Sequence, residues 1–192
     1  MRWRDAGLPA IRVAVNVSPR QFRATNFPVR VAEILKSTRL DPAMLELEVT
    51  EGSLMEDVDD AVEKLNTLNV MGVHLSIDDF GTGYSSLSYL RQLPIHSLKI
   101  DQSFVLNMIG DQSTQAIVAS TIYLAHQLGL GVVAEGVETE QQRELLQNWQ
   151  CDVLQGHLIN KAVPCDQFEQ LLAQLKDEYK HSSRSYSNQG GV

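Results

Sequence analysis

Polar side chains that can bind a metal ion or hold a proton lie at the ends of six short apolar runs of this sequence or directly after them. They are Asn16, Glu48, Asp78, Lys99, Glu135 and Gln155, with Asp79 directly after Asp78. A single acid at the end of a strand usually caps a helix or forms a turn. Because the pattern repeats from one run to the next, it favours one shared site over six separate caps.

The residue types in this set indicate phosphate chemistry assisted by metal ions. Four carboxylates around Lys99 could not all stay ionised without further positive charge. Oxygen-rich clusters of this kind suit Mg²⁺ or Mn²⁺. Two such ions can hold a phosphodiester, activate a water molecule and stabilise the leaving oxygen. Lys99 would hold that water or the charge that develops on the phosphoryl group.

The elements that must position these side chains alternate between strands and amphipathic helices. The predicted strands are Ile11–Val17, Met44–Thr50, Val73–Ile77, Ser97–Ile100, Gly131–Ala134 and Asp152–Leu154. The predicted helices are Val29–Leu40, Asp57–Leu68, Asp111–Leu128, Thr139–Trp149, which opens with a Thr-x-x-Gln capping box, and Asp166–Leu175. This alternation predicts a parallel α/β sheet, because parallel strands need crossover connections. A barrel and an open doubly wound sheet both fit the pattern.

Alternation within the strands predicts where the polar side chains point. In the second strand Glu46, Glu48 and Thr50 share one face, opposite Leu45, Leu47 and Val49. If the apolar face packs on helices, the polar face lines the interior of a barrel near its C-terminal mouth, where active sites lie. The glycine-rich segment after Asp79 is typical of a loop that closes over a substrate.

Composition limits the classes of protein to which this chain can belong. The chain has 192 residues, of which 43% are hydrophobic and 21% charged, as in a globular domain. The formal net charge of -8 disfavours binding to DNA or RNA polymers. No apolar run is long enough to enter a membrane and no signal-peptide pattern is present, so we expect a cytoplasmic protein. We predict a domain over residues 1–178 and a disordered tail over 179–192, which is rich in Ser and Gly.

Six ordered segments resemble the signature motifs of EAL-type cyclic di-GMP phosphodiesterases, over about residues 1 to 170. They are Asn16-Val17-Ser18, Glu48-Val49-Thr50-Glu51, Asp78-Asp79-Phe80-Gly81-Thr82-Gly83, Lys99-Ile100-Asp101, Ala134-Glu135-Gly136-Val137-Glu138 and Gln155-Gly156. The resemblance implies a TIM-like (β/α) barrel that hydrolyses cyclic di-GMP to the linear dinucleotide pGpG with two Mg²⁺ or Mn²⁺ ions.

The resemblance also implies roles for individual residues. Asn16, Glu48, Asp78 and Asp79 correspond to metal ligands, and Glu135 to a ligand or general base. Lys99 corresponds to the lysine that positions the water, Gln155 to a residue that lines the substrate site, and Glu51 to the glutamate that anchors the loop from Asp79 to Ser85. In the family that loop also contributes to dimerisation, so a homodimer is possible.

The sequence departs from the family pattern at its start. The Glu-Ala-Leu motif with its following arginine is absent, so we expect an incomplete barrel that lacks the first strand or strands and a helix. The unpaired edges at such a gap would bind a partner, exchange segments with another copy or lower the stability. Two alternatives to a phosphodiesterase follow: a catalytically inactive module that binds cyclic di-GMP or acts as a scaffold, and, much less favoured, enolase-like proton abstraction by Lys99.

Overall fold

The computed structural model describes residues 3, 7–83 and 87–175. The chain divides into two compact units. The larger unit is Arg12–Lys161, and the smaller one combines Met1–Ile11 with Ala162–Val192. The tail predicted over 179–192 lies outside the described residues, and the domain boundary at residue 178 stays a prediction.

The larger unit is built on one parallel sheet of six strands. They are β1 (Val13–Val17), β2 (Leu45–Thr50), β3 (His74–Phe80), β4 (Ser97–Ile100), β5 (Gly131–Ala134) and β6 (Val153–Leu154). The strands lie side by side in sequence order, and every neighbouring pair is parallel. A doubly wound sheet reverses its strand order at a switch point, and this sheet does not. The structure therefore confirms the predicted incomplete TIM-like barrel, with six strands described where a closed barrel has eight.

Helices connect the strands. They are α1 (Pro19–Arg23), α2 (Phe27–Thr38), α3 (Glu51–Met55), α4 (Val58–Val70), α5 (Leu87–Leu90), α6 (Gln102–Asn107), α7 (Gln112–Gln127) and α8 (Glu140–Asn148), with a 3₁₀ turn at Pro42–Met44. The long helices α2, α4, α7 and α8 were predicted to within two residues at each end. The short helices α1, α3, α5 and α6 were not predicted, because four to six residues are too few to show a helical repeat.

The two faces of the sheet differ as the alternation predicted. The apolar side chains of the central strands, such as Leu47, Leu75 and Leu98, are buried in the hydrophobic core. The polar side chains of the same strands lie on the opposite face. Strand β1 is the exception, since Val13 and Val15 on its apolar side are 48% and 43% exposed.

The smaller unit contains a helix over residues 165–175, α9, close to the predicted Asp166–Leu175. The Trp3 indole donates a hydrogen bond to Oε2 of Glu169 over 3.1 Å, and its ring contacts that of Phe168. None of the helices in the described part of the chain combines the length and apolar content needed to cross a bilayer.

Candidate active site

Lys99 lies at the centre of the polar cluster on the inner face of the sheet. It is 4% exposed. Its Nζ atom lies 2.6 Å from Oε1 of Glu135, 2.7 Å from Oε2 of Glu48 and 3.2 Å from Oδ1 of Asp78. These four residues stand on strands β2, β3 and β4 and directly after β5. The structure therefore brings together side chains that are up to 87 positions apart, counting from Glu48 to Glu135.

The electrostatic balance keeps Lys99 charged. Burial would by itself lower the pKa of this lysine, but the hydrogen bonds and charges of Glu135 and Glu48 outweigh burial, and the net shift is upward. Burial raises the pKa of Glu48, and the hydrogen bond and charge of Lys99 oppose that rise without cancelling it. Lys99 is thus an ammonium ion at neutral pH and a hydrogen-bond donor to whatever the cluster binds.

Asn16 supplies an amide beside the carboxylates. One of its terminal side-chain atoms lies 2.9 Å from Oε2 of Glu48 and 3.1 Å from Oδ2 of Asp78. With nitrogen at that position the amide donates two hydrogen bonds, and with oxygen there three acceptor atoms face one another. Because three facing oxygens repel one another, the nitrogen occupies that position, and Asn16 donates hydrogen bonds to Glu48 and Asp78.

A bulge in β3 allows two consecutive acids to face the site. Side chains of neighbouring residues in a regular strand point to opposite faces. Between Ile77 and Phe80 the pairing with β4 shifts by one residue, and Asp79 has a left-handed backbone with φ of 55°. Burial, followed by the charges of Asp78 and Asp101, raises the pKa of Asp79. This carboxylate therefore lies in the negative field of its neighbours.

Asp101 is a member of the cluster to which the sequence reasoning gave no role. It caps α6 by accepting a hydrogen bond from the Ser103 amide, and its carboxylate interacts with that of Asp79. The polar alternation of β4, which runs through Ser97 and Lys99, reaches Asp101 at the next step and would have indicated it.

Glu51 connects α3 to the glycine-rich loop after Asp79. Its side chain is 2% exposed, and Oε2 accepts a hydrogen bond from the Gly81 amide over 2.9 Å. The loop passes so close that a Cβ atom on Gly83 would lie 2.8 Å from Oε1 of Glu51. Residues 84–86 of the predicted loop lie outside the described residues. Its first part, from 79 to 83, rests on a buried carboxylate.

Gln155 follows β6 and lies apart from the ion pairs of Lys99. Gln155 and Lys99 nevertheless line the same cavity, which has a volume of about 350 Å³ and lies on the inner face of the sheet. The backbone of Gln155 is fixed by its amide, which donates to the Ala134 carbonyl, and by its carbonyl, which accepts from the Val137 amide. The side chain is exposed.

The donor set of the cluster fits divalent cations of the Mg²⁺ class. It combines carboxylate oxygens with the Asn16 amide, and the four predicted acidic ligands carry up to four negative charges against one ammonium. No three acidic, histidine or cysteine side chains of the described ranges form a ready-made set around one ion. Three of the carboxylates instead contact Lys99, and a cation would compete with these ion pairs.

The sequence matches the family model described as EAL domain over residues 1–162. It is 42% identical over 170 residues to the signaling protein YkoW of Bacillus subtilis, which covers 88% of this chain and 21% of YkoW. It is 44% identical over 173 residues to MucR of Pseudomonas aeruginosa, named a bifunctional diguanylate cyclase/cyclic di-GMP phosphodiesterase, which covers 90% of this chain and 25% of MucR. The chain thus spans a quarter or less of the length of these curated relatives.

Solved structures show the same likeness. The phosphodiesterase of MucR in complex with cyclic di-GMP superposes with a TM-score of 0.84 at 44% identity, covering 87% of this chain and 68% of that one. Klebsiella pneumoniae BlrP1 in complex with manganese and cyclic di-GMP gives a TM-score of 0.72 at 33% identity, covering 81% and 40% of the two chains. Divalent metal ions are therefore found in structures of relatives.

Proposed function

The chain belongs to the EAL domain family, and from that premise we propose that it hydrolyses cyclic di-GMP to the linear dinucleotide pGpG. The observation that carries the proposal is the buried ammonium of Lys99 held within 2.6 to 3.2 Å of Glu135, Glu48 and Asp78. The phosphodiesterase named in MucR and the cyclic di-GMP bound in its structure support the choice of substrate.

The metal ligands in this proposal are Asn16, Glu48, Asp78, Asp79 and Glu135, holding two Mg²⁺ or Mn²⁺ ions. When bound, such ions polarise a phosphodiester and lower the pKa of a water molecule. The five residues fit this role because they present oxygen donors to one region of the inner face. The manganese complex of BlrP1 is a relative's structure that supports a divalent ion at such a site.

Two residues of the chain handle the proton and the charge. The Oε1 atom of Glu135 accepts the proton of the attacking water, whose oxygen forms the new bond to phosphorus as one ester P–O bond breaks. The leaving oxygen takes up a proton from solvent and becomes a hydroxyl group, and Glu135 releases to solvent the proton that it accepted. Lys99, which stays protonated, donates hydrogen bonds from Nζ to the water or to a phosphoryl oxygen as negative charge develops. Gln155 lines the wall that contacts the dinucleotide, and Glu51 holds the loop over it.

Proton abstraction by Lys99, as in an enolase-like reaction, is disfavoured by its environment. A lysine acts as a base only when it is neutral, which requires a pKa lowered towards the working pH. The carboxylates of Glu135 and Glu48 shift the pKa of Lys99 in the opposite direction.

A binding module without turnover is the second candidate, and the exposure of β1 favours it. Ala14 and Asn16, which lie on the inner face of β1 beside Glu46 and Glu48, are both exposed, so the wall of the site on the β1 side is open to solvent. An open wall admits the dinucleotide but excludes water poorly, which weakens the electrostatic contribution of the cluster to catalysis. A homodimer that covers this side is compatible with both candidates and stays a prediction.

Incubation of the purified chain with cyclic di-GMP and Mn²⁺, followed by chromatography of the linear product, separates the candidates. Turnover that Glu135→Gln abolishes supports the phosphodiesterase. Saturable binding of cyclic di-GMP by a folded sample without any product supports the binding module. Full activity in both Glu135→Gln and Lys99→Ala would overturn the assignment of the site.

A further inference from the structure

The side chain of Gln142 on α8 makes hydrogen bonds to three backbone groups. Its Oε1 atom accepts from the amides of Glu138 and Thr139 over 2.7 and 2.9 Å, and its Nε2 atom donates to the carbonyl of Val105 over 3.1 Å. Gln142 is 3% exposed; its bond to Val105 is buried and the other two are partly buried. The amide group thus joins two segments of backbone that are more than 30 residues apart in sequence.

Helix capping explains only half of these contacts. Thr139 and Gln142 form a capping box, in which the Thr139 hydroxyl accepts from the Gln142 amide and Gln142 returns a bond to the Thr139 amide. Glutamate fills that position in a capping box as well as glutamine does. A carboxylate, however, has no hydrogen to donate to the Val105 carbonyl, and Val105 is fully buried. The Nε2 atom of Gln142 therefore makes a hydrogen bond to Val105 that capping of α8 does not require.

One of the two connected segments begins with Glu135, and the other follows β4, which carries Lys99. Residues 135–139 follow β5, and α6 follows β4 after Asp101. The segments touch at two further points. The Glu135 amide donates to the Ile100 carbonyl over 3.2 Å, and Gly136 approaches α6 so closely that a Cβ atom on it would lie 2.7 Å from Cβ of Gln102. Gln142 closes this contact at the far end of both segments.

We propose that Gln142 is a positioning residue that fixes Glu135 against Lys99 by binding residues 138 and 139 to α6. Its loss lets the segment after β5 move away from α6, and the carboxylate of Glu135 then leaves the place where it accepts a proton. The proposal rests on the phosphodiesterase function proposed above, but the connection itself can be measured without turnover.

Two variants separate positioning from capping. Gln142→Glu keeps the acceptor that caps α8 but replaces the donor to Val105 by a carboxylate oxygen, which repels that carbonyl. Thr139→Ala loses the hydroxyl of the capping box and leaves the bond to Val105 in place. If Gln142 positions Glu135, Gln142→Glu lowers kcat roughly tenfold and changes KM by no more than about twofold. This loss of kcat is smaller than the ~10²-fold loss that a displacement of 1 Å can cause. Thr139→Ala then keeps kcat within about twofold and loses mainly thermal stability.

Hydrogen exchange of the backbone amides provides the readout that does not depend on activity. We expect faster exchange in both 102–107 and 135–139 for Gln142→Glu, and faster exchange confined to the start of α8 for Thr139→Ala. Equal kcat in Gln142→Glu and the wild type, or equal losses in the two variants, would overturn the proposal. If the wild type itself shows no turnover, the proposed function fails. Hydrogen exchange then tests this inference separately: exchange in 102–107 and 135–139 that is the same in Gln142→Glu as in the wild type would overturn it.

Discussion

The Nζ atom of Lys99 lies 2.6 Å from Oε1 of Glu135, at the ends of adjacent parallel strands. A charge-assisted hydrogen bond of this length, at a position that is largely shielded from water, is among the stronger polar contacts in a protein. It orients the carboxylate and keeps the lysine charged. The pair thereby joins the group that accepts a proton to the group that stabilises negative charge.

Replacement of Glu135 by glutamine tests this pair. Glutamine keeps the shape and an acceptor oxygen but cannot take up a proton, so we expect kcat to fall by at least about 10²-fold. Circular dichroism should be unchanged. Glu140→Gln is the matched control, because Glu140 is an exposed acid that pairs with Arg143 on the surface of α8. Equal turnover by Glu135→Gln and Glu140→Gln would show that Glu135 carries no proton in the reaction.

The contact between Glu51 and the loop predicts the effect of a single methyl group. In Gly83→Ala the new Cβ would lie 2.8 Å from Oε1 of Glu51, so the carboxylate or the loop must move. We expect a loss of roughly 1–3 kcal/mol in the free energy of unfolding, as for other overpacked sites, together with a raised KM for cyclic di-GMP. Urea denaturation and steady-state kinetics measure the two effects.

Gly52→Ala provides the control for that variant. Gly52 lies in α3, directly after Glu51, and a Cβ atom there would meet nothing within 4 Å. Alanine in a helix is favoured over glycine, so this variant should be neutral or more stable by up to about 1 kcal/mol. A stable, fully active Gly83→Ala protein would contradict the anchoring role of Glu51.

Much of the architecture could be predicted because it depends on local periodicity. The alternation of Glu46 and Glu48 with Leu45 and Leu47 fixes which face of β2 is polar, whatever surrounds it. The choice of a barrel over a doubly wound sheet could not be made in this way, because strand order is set by long-range pairing. The structure supplied it through the unbroken order of the strands.

The details of the site depend on departures from regular geometry. Regular alternation would send Asp78 and Asp79 to opposite faces, and only the bulge with the left-handed Asp79 alters this.

The bond from Gln142 to Val105 depends on how α8 packs on α6, which no local sequence pattern records. A capping-box sequence, Ser18-Pro19-Arg20-Gln21, does mark the short helix α1, and reading it would have predicted that element.

Histidine titration predicts a loss of stability in mild acid. Burial lowers the pKa of His74 to about 4, with smaller contributions from Glu46, which opposes the shift, and from His96 and Arg12, which add to it. In the unfolded chain His74 binds a proton near pH 6.5, whereas in the folded chain it does so only near pH 4. The contribution of His74 to the free energy of unfolding is therefore fully present above pH 6.5 and falls as the pH drops from 6.5 to 4. Urea midpoints measured at pH 7.5 and 5 should show this decrease.

His74→Phe should flatten that dependence. The phenyl ring keeps an aromatic partner for His96, whose ring stacks on His74 with centroids 4.3 Å apart, and removes the titrating group. Comparison of the midpoint difference between pH 7.5 and 5 in the variant and the wild type isolates the contribution of His74. An unchanged difference would assign the acid sensitivity to other groups.

Divalent cations should stabilise the protein through the carboxylate cluster. A ligand present at 100 times its Kd adds about 2.7 kcal/mol to the free energy of unfolding. For a chain of this size that corresponds to a rise of roughly 5–10 °C in Tm. We expect Mn²⁺ and Mg²⁺ to produce such a rise and to support turnover. Ca²⁺, which accepts looser geometry, should bind but inhibit.

Asp78→Asn and Glu46→Gln identify the carboxylates responsible for that stabilisation. Asp78 contacts Lys99 and the Asn16 amide, so its neutral variant should lose most of the rise in Tm with Mn²⁺. Glu46 lies on the same inner face two residues before Glu48 and interacts with Arg12 at 3.7 Å, outside the proposed ligand set. Its variant should keep the full rise, because removing that charge leaves all proposed ligands in place. Equal metal responses in both variants would mean that cations are attracted by the negative charge of the inner face as a whole and bind no defined site.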